Sequence, residues 1–356
     1  MRYNSLFGLM PSKKQISVGS VKIGGGAPIS IQSMTNTNTE DVEATSAQIR
    51  LATNAGCDLI RVSCPTSEST AVLKKILKNS KIPVIADIHF NYKRAIEAIK
   101  SGVHCVRINP GNMSKIGIME IVKAAKDHGG SIRIGINSGS IEKSILSRYK
   151  EPSAEAMVES AILNCKKLED LGFFNFKVSA KSSDVRASVM ACRQLSKLID
   201  YPLHLGITES GALFPGTIKS AIGIGSLLLD GIGDTIRVSL SSNITNEIKA
   251  ARQILKSLSL LDNCINIVSC PTCSRTLISI INISEKLEDY CESMKKRLKI
   301  SILGCGVNGV GEAMNSDIGV FGFQKGMAKI YLRGMEYRIV KDSEILKLVK
   351  CLIDEF

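Results

Sequence analysis

The chain has 356 residues, of which 44% are hydrophobic and 22% charged, which suits one large domain followed by a smaller one in an ordinary globular protein. The longest apolar runs, such as "SLLLDGIG", are far short of a membrane span, and "MRYNSLFGLMPSKK" holds no secretory leader, so neither membrane insertion nor export is expected. The formal net charge of +13 raises nucleic acid as a partner, but with no Trp and 4% aromatic residues the chain has few stacking platforms, and lysines spread along "VLKKILKNSK" read as a solvated face, so no nucleic-acid partner is expected.

Short β-branched runs alternate with helical stretches as far as about residue 260. The strand candidates are "ISIQSM" (29–34), "DLIRVS" (58–63), "PVIADI" (83–88), "HCVRIN" (104–109), "SIRIGIN" (131–137), "FKVSAK" (176–181), "PLHLGIT" (202–208) and "TIRVSL" (235–240). Between them lie helix-like segments such as "NYKRAIEAIKSG" and "SAEAMVESAILNCKKLEDLGF", with Gly102 and Gly172 as stops. Such alternation gives a parallel sheet, and eight repeats predict a closed (β/α)8 TIM barrel over residues 1–262. An open doubly wound sheet is the alternative. "IGGGAP" precedes the first strand and no G-x-G-x-x-G follows it, which argues against a dinucleotide site.

The C-terminal ends of these strands are unusually polar. Arg61 and Ser63 lie two apart, as do Asp87 and His89, Arg107 and Asn109, and Arg237 and Ser239. Lys177, Ser179 and Lys181 continue the pattern, and Arg133 and Asn137 stay in phase four apart. Spacing by two puts side chains on one face of a strand, here the barrel interior. A single buried arginine is ordinarily a structural ion pair. Four arginines, two lysines and two histidines converging on one mouth call for an anionic partner, because unpaired buried charge costs several kcal/mol per ion. A diphosphate fits, since the guanidinium fork pairs bidentately with phosphate oxygens. No Walker motif is present, so nucleotide hydrolysis is not expected. "HLGITESG" (204–211) places Glu209 past the seventh strand, where it serves either as a general acid or base or as a helix N-terminal carboxylate.

After "NEIKAARQILKSLSL" the rhythm ends and a second domain, residues 263–356, begins. Of the eleven cysteines most stand singly in apolar segments, which fits a reducing cytoplasmic setting rather than a disulfide framework. "CINIVSC" (264–270) and "LKISILGC" (298–305) read as strands delivering Cys270, Cys273 and Cys305 at their ends. "TLISIINISEKLEDYCESMKK" reads as a helix, "GCGVNGVGEAMNSDIG" as a glycine-rich loop carrying Glu312, "VFGFQKGMAKIYLRGMEYRIV" as a hairpin and "SEILKLVKCLIDEF" as a closing helix. Three explanations compete for the cysteines. A redox couple needs only Cys270 and Cys273. Structural zinc wants a fourth ligand, and Cys264 and Cys291 lack knuckle spacing. An iron–sulfur cluster takes three thiolates and leaves one iron for an oxygen ligand such as Glu312. Spacing alone leaves all three open.

Eight ordered motifs carry a resemblance from about residue 17 to 325: "APISIQSMTNTNTEDVEAT", "ADIHFNYKRAIEA", "RINPGN", "IRIGINSGS", "HLGITESG", "GIGDTIRVSL", "CPTCSR" and "GCGVNGVGEA". Together they resemble the bacterial 4-hydroxy-3-methylbut-2-enyl diphosphate synthases of the non-mevalonate isoprenoid pathway. The resemblance implies a barrel followed by a small α/β cluster domain, with a 4Fe–4S cluster held by Cys270, Cys273, Cys305 and Glu312. It implies 2-C-methyl-D-erythritol 2,4-cyclodiphosphate as substrate and a reduced flavodoxin or ferredoxin as donor. By the same resemblance Arg61, Asp87, His89, Arg107, Asn109, Arg133, Asn137, Ser179, Lys181, His204 and Arg237 line the substrate site, and Glu209 has a polar catalytic role. The family's loop usually reads N-G-P-G-E; here Val310 replaces the proline, and "KVSAKSSDV" also departs slightly while keeping Lys181.

Two further expectations follow. The eighth barrel helix, about residues 246–260, runs away from the mouth, and "LDNCIN" is too short to return the second domain easily to its own mouth. A head-to-tail homodimer with a site shared between chains is therefore expected. The readings from other classes are a basic zinc-stabilised nucleic-acid-binding protein and a barrel transferase acting on another diphosphate.

Overall fold

A computed structural model describes residues 12–109, 111, 113–261, 263–292 and 294–356. It comprises two compact units, the first ending at Leu260 and the second beginning at Leu261.

In the first unit, β1 (Gln15–Val18) and β2 (Val21–Gly24) form an antiparallel hairpin. The parallel strands follow: β3 (Ser30–Met34), β4 (Leu59–Ser63), β5 (Val84–Asp87), β6 (Cys105–Ile108), β7 (Ser131–Asn137), β8 (Phe176–Lys181), β9 (His204–Leu205) and β10 (Thr235–Ile236). Their order is β8-β7-β6-β5-β4-β3-β10-β9, and a parallel bridge from Val178 to Leu203 joins the two ends. The sheet is thus a closed TIM barrel, as the eightfold alternation predicts. β9 and β10 are much shorter than their apolar runs. Beyond them only single backbone bonds persist, such as Arg237 N–H to the Leu205 carbonyl at 2.9 Å. There Gly206 lies so close that a Cβ would stand 2.6 Å from the Arg237 carbonyl oxygen.

Side-chain caps start the helices directly after the strand-end loops. Asp41, Asn91, Ser114, Ser153, Asp184 and Asn243 each accept from a backbone N–H two or three residues on. The strand C-termini and helix N-termini therefore share one end of the barrel, its mouth. The other end is sealed by the hairpin, which the sequence reading did not foresee. Ile16, Val18 and Ile23 pack against Leu59, Ile85 and Cys105, forming an apolar floor. Full burial of each such side chain contributes about 1.5–3 kcal/mol.

The second unit holds one sheet in the order β11 (Ile265–Ser269), β12 (Leu298–Leu303), β13 (Ile318–Gln324), β14 (Met327–Leu332) and β15 (Met335–Lys341). The first three strands are parallel and the last two antiparallel, so the expected hairpin is part of a meander. Helices Ile280–Cys291 and Asp342–Glu355 supply Ile283, Leu287, Val349 and Leu352 to a core with Ile300, Ile302 and Ile330. The expected glycine-rich loop is a helix, Gly306–Met314. Gly309 of the helix and Gly319 of β13 serve close packing. A Cβ on Gly309 would stand 2.5 Å from Phe321 Cβ, and one on Gly319 would meet Ala313 at 2.4 Å. Among the described residues no helix is long and apolar enough to cross a membrane.

Candidate functional site

The barrel interior is polar toward the mouth. In register, Asp87 neighbours Arg107, Arg107 neighbours Arg133, Arg133 neighbours Lys177, and Asn137 neighbours Lys181. Asp87 is the hub. Its Oδ1 lies 3.3 Å from Arg107 Nη1, and its Oδ2 lies 3.7 Å from Arg61 Nε and 3.6 Å from His89 Nε2. Burial raises the Asp87 pKa, but Arg61, Arg107, Arg133 and His89 outweigh it and hold the carboxyl at about 2. Arg61 donates to Met34 Sδ through Nε at 3.1 Å and Nη2 at 2.9 Å, and burial brings its pKa down to about 10. Asn137, with its amide oxygen toward Arg107, accepts from Nη2 at 3.0 Å.

Two glycines make room for cations. A Cβ on Gly135 would stand 2.4 Å from Arg107 Nε, and one on Gly206 would stand 2.6 Å from Lys181 Nζ. Arg133, Lys181 and His204 are buried, and burial followed by their cationic neighbours pushes each well below its usual pKa. Burial likewise brings Lys177 down to about 8. His204 Nδ1 bonds Thr235 Oγ1 at 2.6 Å. Ser179 Oγ donates to the Ile134 carbonyl at 3.4 Å. Asn109 braces the following loop, donating to Ser140 Oγ at 2.7 Å and accepting from Gly111 N–H at 3.1 Å.

Arg237 lies 3.6 Å from Glu247, which also accepts from Ser33 Oγ at 2.8 Å. Glu247 and Met34 escaped the sequence reading. Glu247 sits on a helix, in the first turn after the Asn243 cap, and an acidic residue there reads as an ordinary capping charge. Glu209 is exposed in a left-handed conformation with φ +53° and makes no ion pair among the described residues. His89 is half-exposed at the rim. Arg61, Arg107, Arg133, Lys181 and Arg237 thus converge on a volume where Asp87 and Glu247 supply the ion-paired carboxylates. The excess of buried positive charge suits an anion with several oxygens.

The second candidate site is the cysteine end of the small sheet. Ser269 and Ile302 are register partners, so β11 and β12 deliver Cys270, Cys273 and Cys305 past the same sheet edge. Six other cysteines are buried, whereas these three are half-buried or exposed. Cys270 Sγ accepts from Gly304 N–H at 3.2 Å. Cys273 N–H donates to Thr276 Oγ1 at 3.0 Å. Cys305 is the N-cap residue of the helix Gly306–Met314. Glu312 lies two turns along that helix, and its carboxylate pairs with Lys299 Nζ at 3.3 Å. As the side chains stand, no group of three or more His, Cys, Asp or Glu among the described residues is gathered to hold a metal ion. The donor set nevertheless fits iron or another soft metal in kind: three accessible thiols, one receiving a backbone N–H and one at a helix N-terminus. Val310 is partly exposed on the outer face of the same helix and is accommodated without a break.

Comparison with known proteins bears on both units. Residues 13–252 match the model of the GcpE TIM-barrel domain, and residues 266–355 match that of the GcpE protein C-terminal domain. The chain is 50% identical over 348 residues to a protein of Rhodospirillum rubrum named 4-hydroxy-3-methylbut-2-en-1-yl diphosphate synthase (flavodoxin), covering 96% of this chain and 91% of that one. A protein of the same name from Zymomonas mobilis is 49% identical, covering 96% and 91%. Among solved structures, dihydropteroate synthase from Stenotrophomonas maltophilia superposes with a TM-score of 0.50 at 12% identity, covering 69% of this chain and 98% of that one. At that identity the likeness concerns the barrel fold alone.

Proposed function

The chain belongs to the GcpE family, and from that premise we propose that it makes 4-hydroxy-3-methylbut-2-en-1-yl diphosphate, the product for which its relatives are named. The reaction is the reductive opening of 2-C-methyl-D-erythritol 2,4-cyclodiphosphate. Two electrons and two protons enter, the ring carbon–oxygen bond to phosphate breaks, and one hydroxyl leaves as water. Reduced flavodoxin is the donor named for the relatives. The observation that carries the reading is the excess of buried cations around Asp87, which suits a cyclic diphosphate.

Arg61, Arg107, Arg133, Lys181 and Arg237 bind the diphosphate, and Asp87 fixes the Arg61 and Arg107 guanidinium planes. Charge-assisted bonds of this kind orient the substrate while the closed floor keeps water entry to the mouth side. To Glu209, exposed on its left-handed turn, we assign a polar catalytic role at the mouth. Asn109, Asn137, Ser179, His89 and His204 complete the polar lining.

Cys270, Cys273 and Cys305, with Glu312 as oxygen ligand, would hold a 4Fe–4S cluster. Such a cluster supplies single electrons and an electrophilic iron when bound. Glu312, whose carboxylate pairs with Lys299 at 3.3 Å, would be the oxygen ligand that completes the set. We place the enzyme in the cytoplasm as a homodimer in which the cysteine end of one chain serves the barrel mouth of its partner. Protein purified without oxygen should be brown, hold about four irons per chain, and convert the cyclodiphosphate with reduced flavodoxin. Stoichiometric zinc and no iron after anaerobic reconstitution would overturn the cluster assignment.

A further inference from the structure

Two loops at the mouth are clasped together, and the clasp rests on a carboxylate outside the cation cluster. Asn109 and Gly111 follow β6, and Ser140 and Glu142 follow β7. Asn109 is 3% exposed and spends both amide hydrogens on Ser140, donating to its carbonyl at 3.1 Å and to its Oγ at 2.7 Å. Its oxygen accepts from Gly111 N–H at 3.1 Å, so among the described residues the amide keeps one oxygen lone pair. Two residues past Ser140, the Glu142 carboxylate lies directly against Gly111. A Cβ on Gly111 would stand 2.9 Å from Glu142 Cδ and 3.0 Å from Oε1, an approach that glycine permits. Glu142 is in turn fixed by helix Ala154–Asp170, where Ser160 Oγ donates to Oε2 at 2.5 Å and Asn164 Nδ2 to Oε1 at 2.8 Å. Both donors belong to fully buried residues. Asn164 is itself held, donating to the Ser160 carbonyl at 2.8 Å and accepting from Lys167 Nζ at 3.0 Å. The carboxylate is therefore a rigid stop that sets where the loop after β6 sits.

We propose that Glu142 is a positioning residue for the substrate. Through Gly111 and Ser140 it fixes the Asn109 amide so that the remaining lone pair meets a substrate hydroxyl. The inference rests on the cyclodiphosphate reading above. An ionised phosphate oxygen only accepts hydrogen bonds, so that lone pair serves a hydroxyl and not the diphosphate.

The test uses the full-length holoenzyme. Turnover of the cyclodiphosphate is measured beside calorimetric binding of inorganic pyrophosphate, which keeps the phosphates and lacks the hydroxyl. Glu142→Leu should raise KM about tenfold with kcat little changed, the signature of lost uniform binding. Pyrophosphate binding should stay within about twofold of wild type, because the arginines are untouched. Glu142→Gln keeps the shape and can bond both Ser160 and Asn164, so it should restore KM. Gly111→Ala, which presses a methyl on the carboxylate, should also raise KM, and less so in a Glu142→Ala background that makes room. It serves should Glu142→Leu fail to fold. Unchanged KM in the folded variants, or equal losses for cyclodiphosphate and pyrophosphate, would overturn the positioning role. Failure of folded wild type to turn over the cyclodiphosphate would instead overturn the reading on which it rests.

Discussion

Replacing Asp87 by Asn removes the negative charge at the centre of the mouth and keeps the side-chain volume. Asp87 titrates at about 2 against an ordinary value of 3.8. At 1.36 kcal/mol per unit that difference is about 2.5 kcal/mol of stabilisation at neutral pH. A depressed carboxyl stabilises the fold above its unfolded pKa, and that contribution fades as pH falls from about 4 toward 2. The variant also leaves Arg61 and Arg107 facing each other without their shared partner, so the loss at pH 7 approaches the 3–5 kcal/mol typical of a broken buried pair. With roughly 2–4 °C per kcal/mol for a domain of this size, the barrel should melt about 6–20 °C lower. Melting curves of both proteins at pH 7 and pH 3 check this. The gap should narrow at pH 3, and pyrophosphate should rescue the variant in part, since it supplies the missing negative charge. Equal melting temperatures at pH 7, or a gap undiminished at pH 3, would refute the assignment of Asp87 as the electrostatic hub.

Arg→Ala at Arg107, Arg133 or Arg237 should each weaken binding of the cyclodiphosphate by roughly 1.5–3 kcal/mol, measured by calorimetry; unchanged affinity in all three would put the anion elsewhere. Gly135→Ala places a methyl 2.4 Å from Arg107 Nε, so substrate affinity should fall about tenfold while circular dichroism stays unchanged. An inactive Arg237→Ala chain mixed with an inactive Cys270→Ser chain should regain activity if one intact mouth meets one intact cysteine end across the dimer. Heterodimers that form and stay inactive would rule that arrangement out.

The barrel was legible because each β-branched run of four to seven residues declares a buried parallel strand, and the site was legible because polar residues repeat every second position along it. Arg133, Gly135 and Asn137 on β7 illustrate both signals in seven residues. What stayed hidden depends on contacts distant in sequence. β1 and β2 have four residues each, and nothing local says that Ile16 and Ile23 close a barrel floor against Ile85. The glycines of 304–311 read as a loop because their cost to a helix is visible in sequence, whereas the close approach of Phe321 that Gly309 permits is not. Glu247 belongs to the mouth only because its helix turns a first-turn carboxylate back toward Arg237.

A vessel with a stopper at one end has a single door. With Ile16, Val18 and Ile23 plugging the far end of the barrel, the open-chain diphosphate must leave by the route the cyclic one entered. It backs out past the same guanidinium groups that drew the substrate in, and whatever grip they keep on the two phosphates sets the speed of exit. Turnover in such a barrel is governed by departure as much as by chemistry. Accumulated product competes with substrate for the doorway and for the same guanidinium groups.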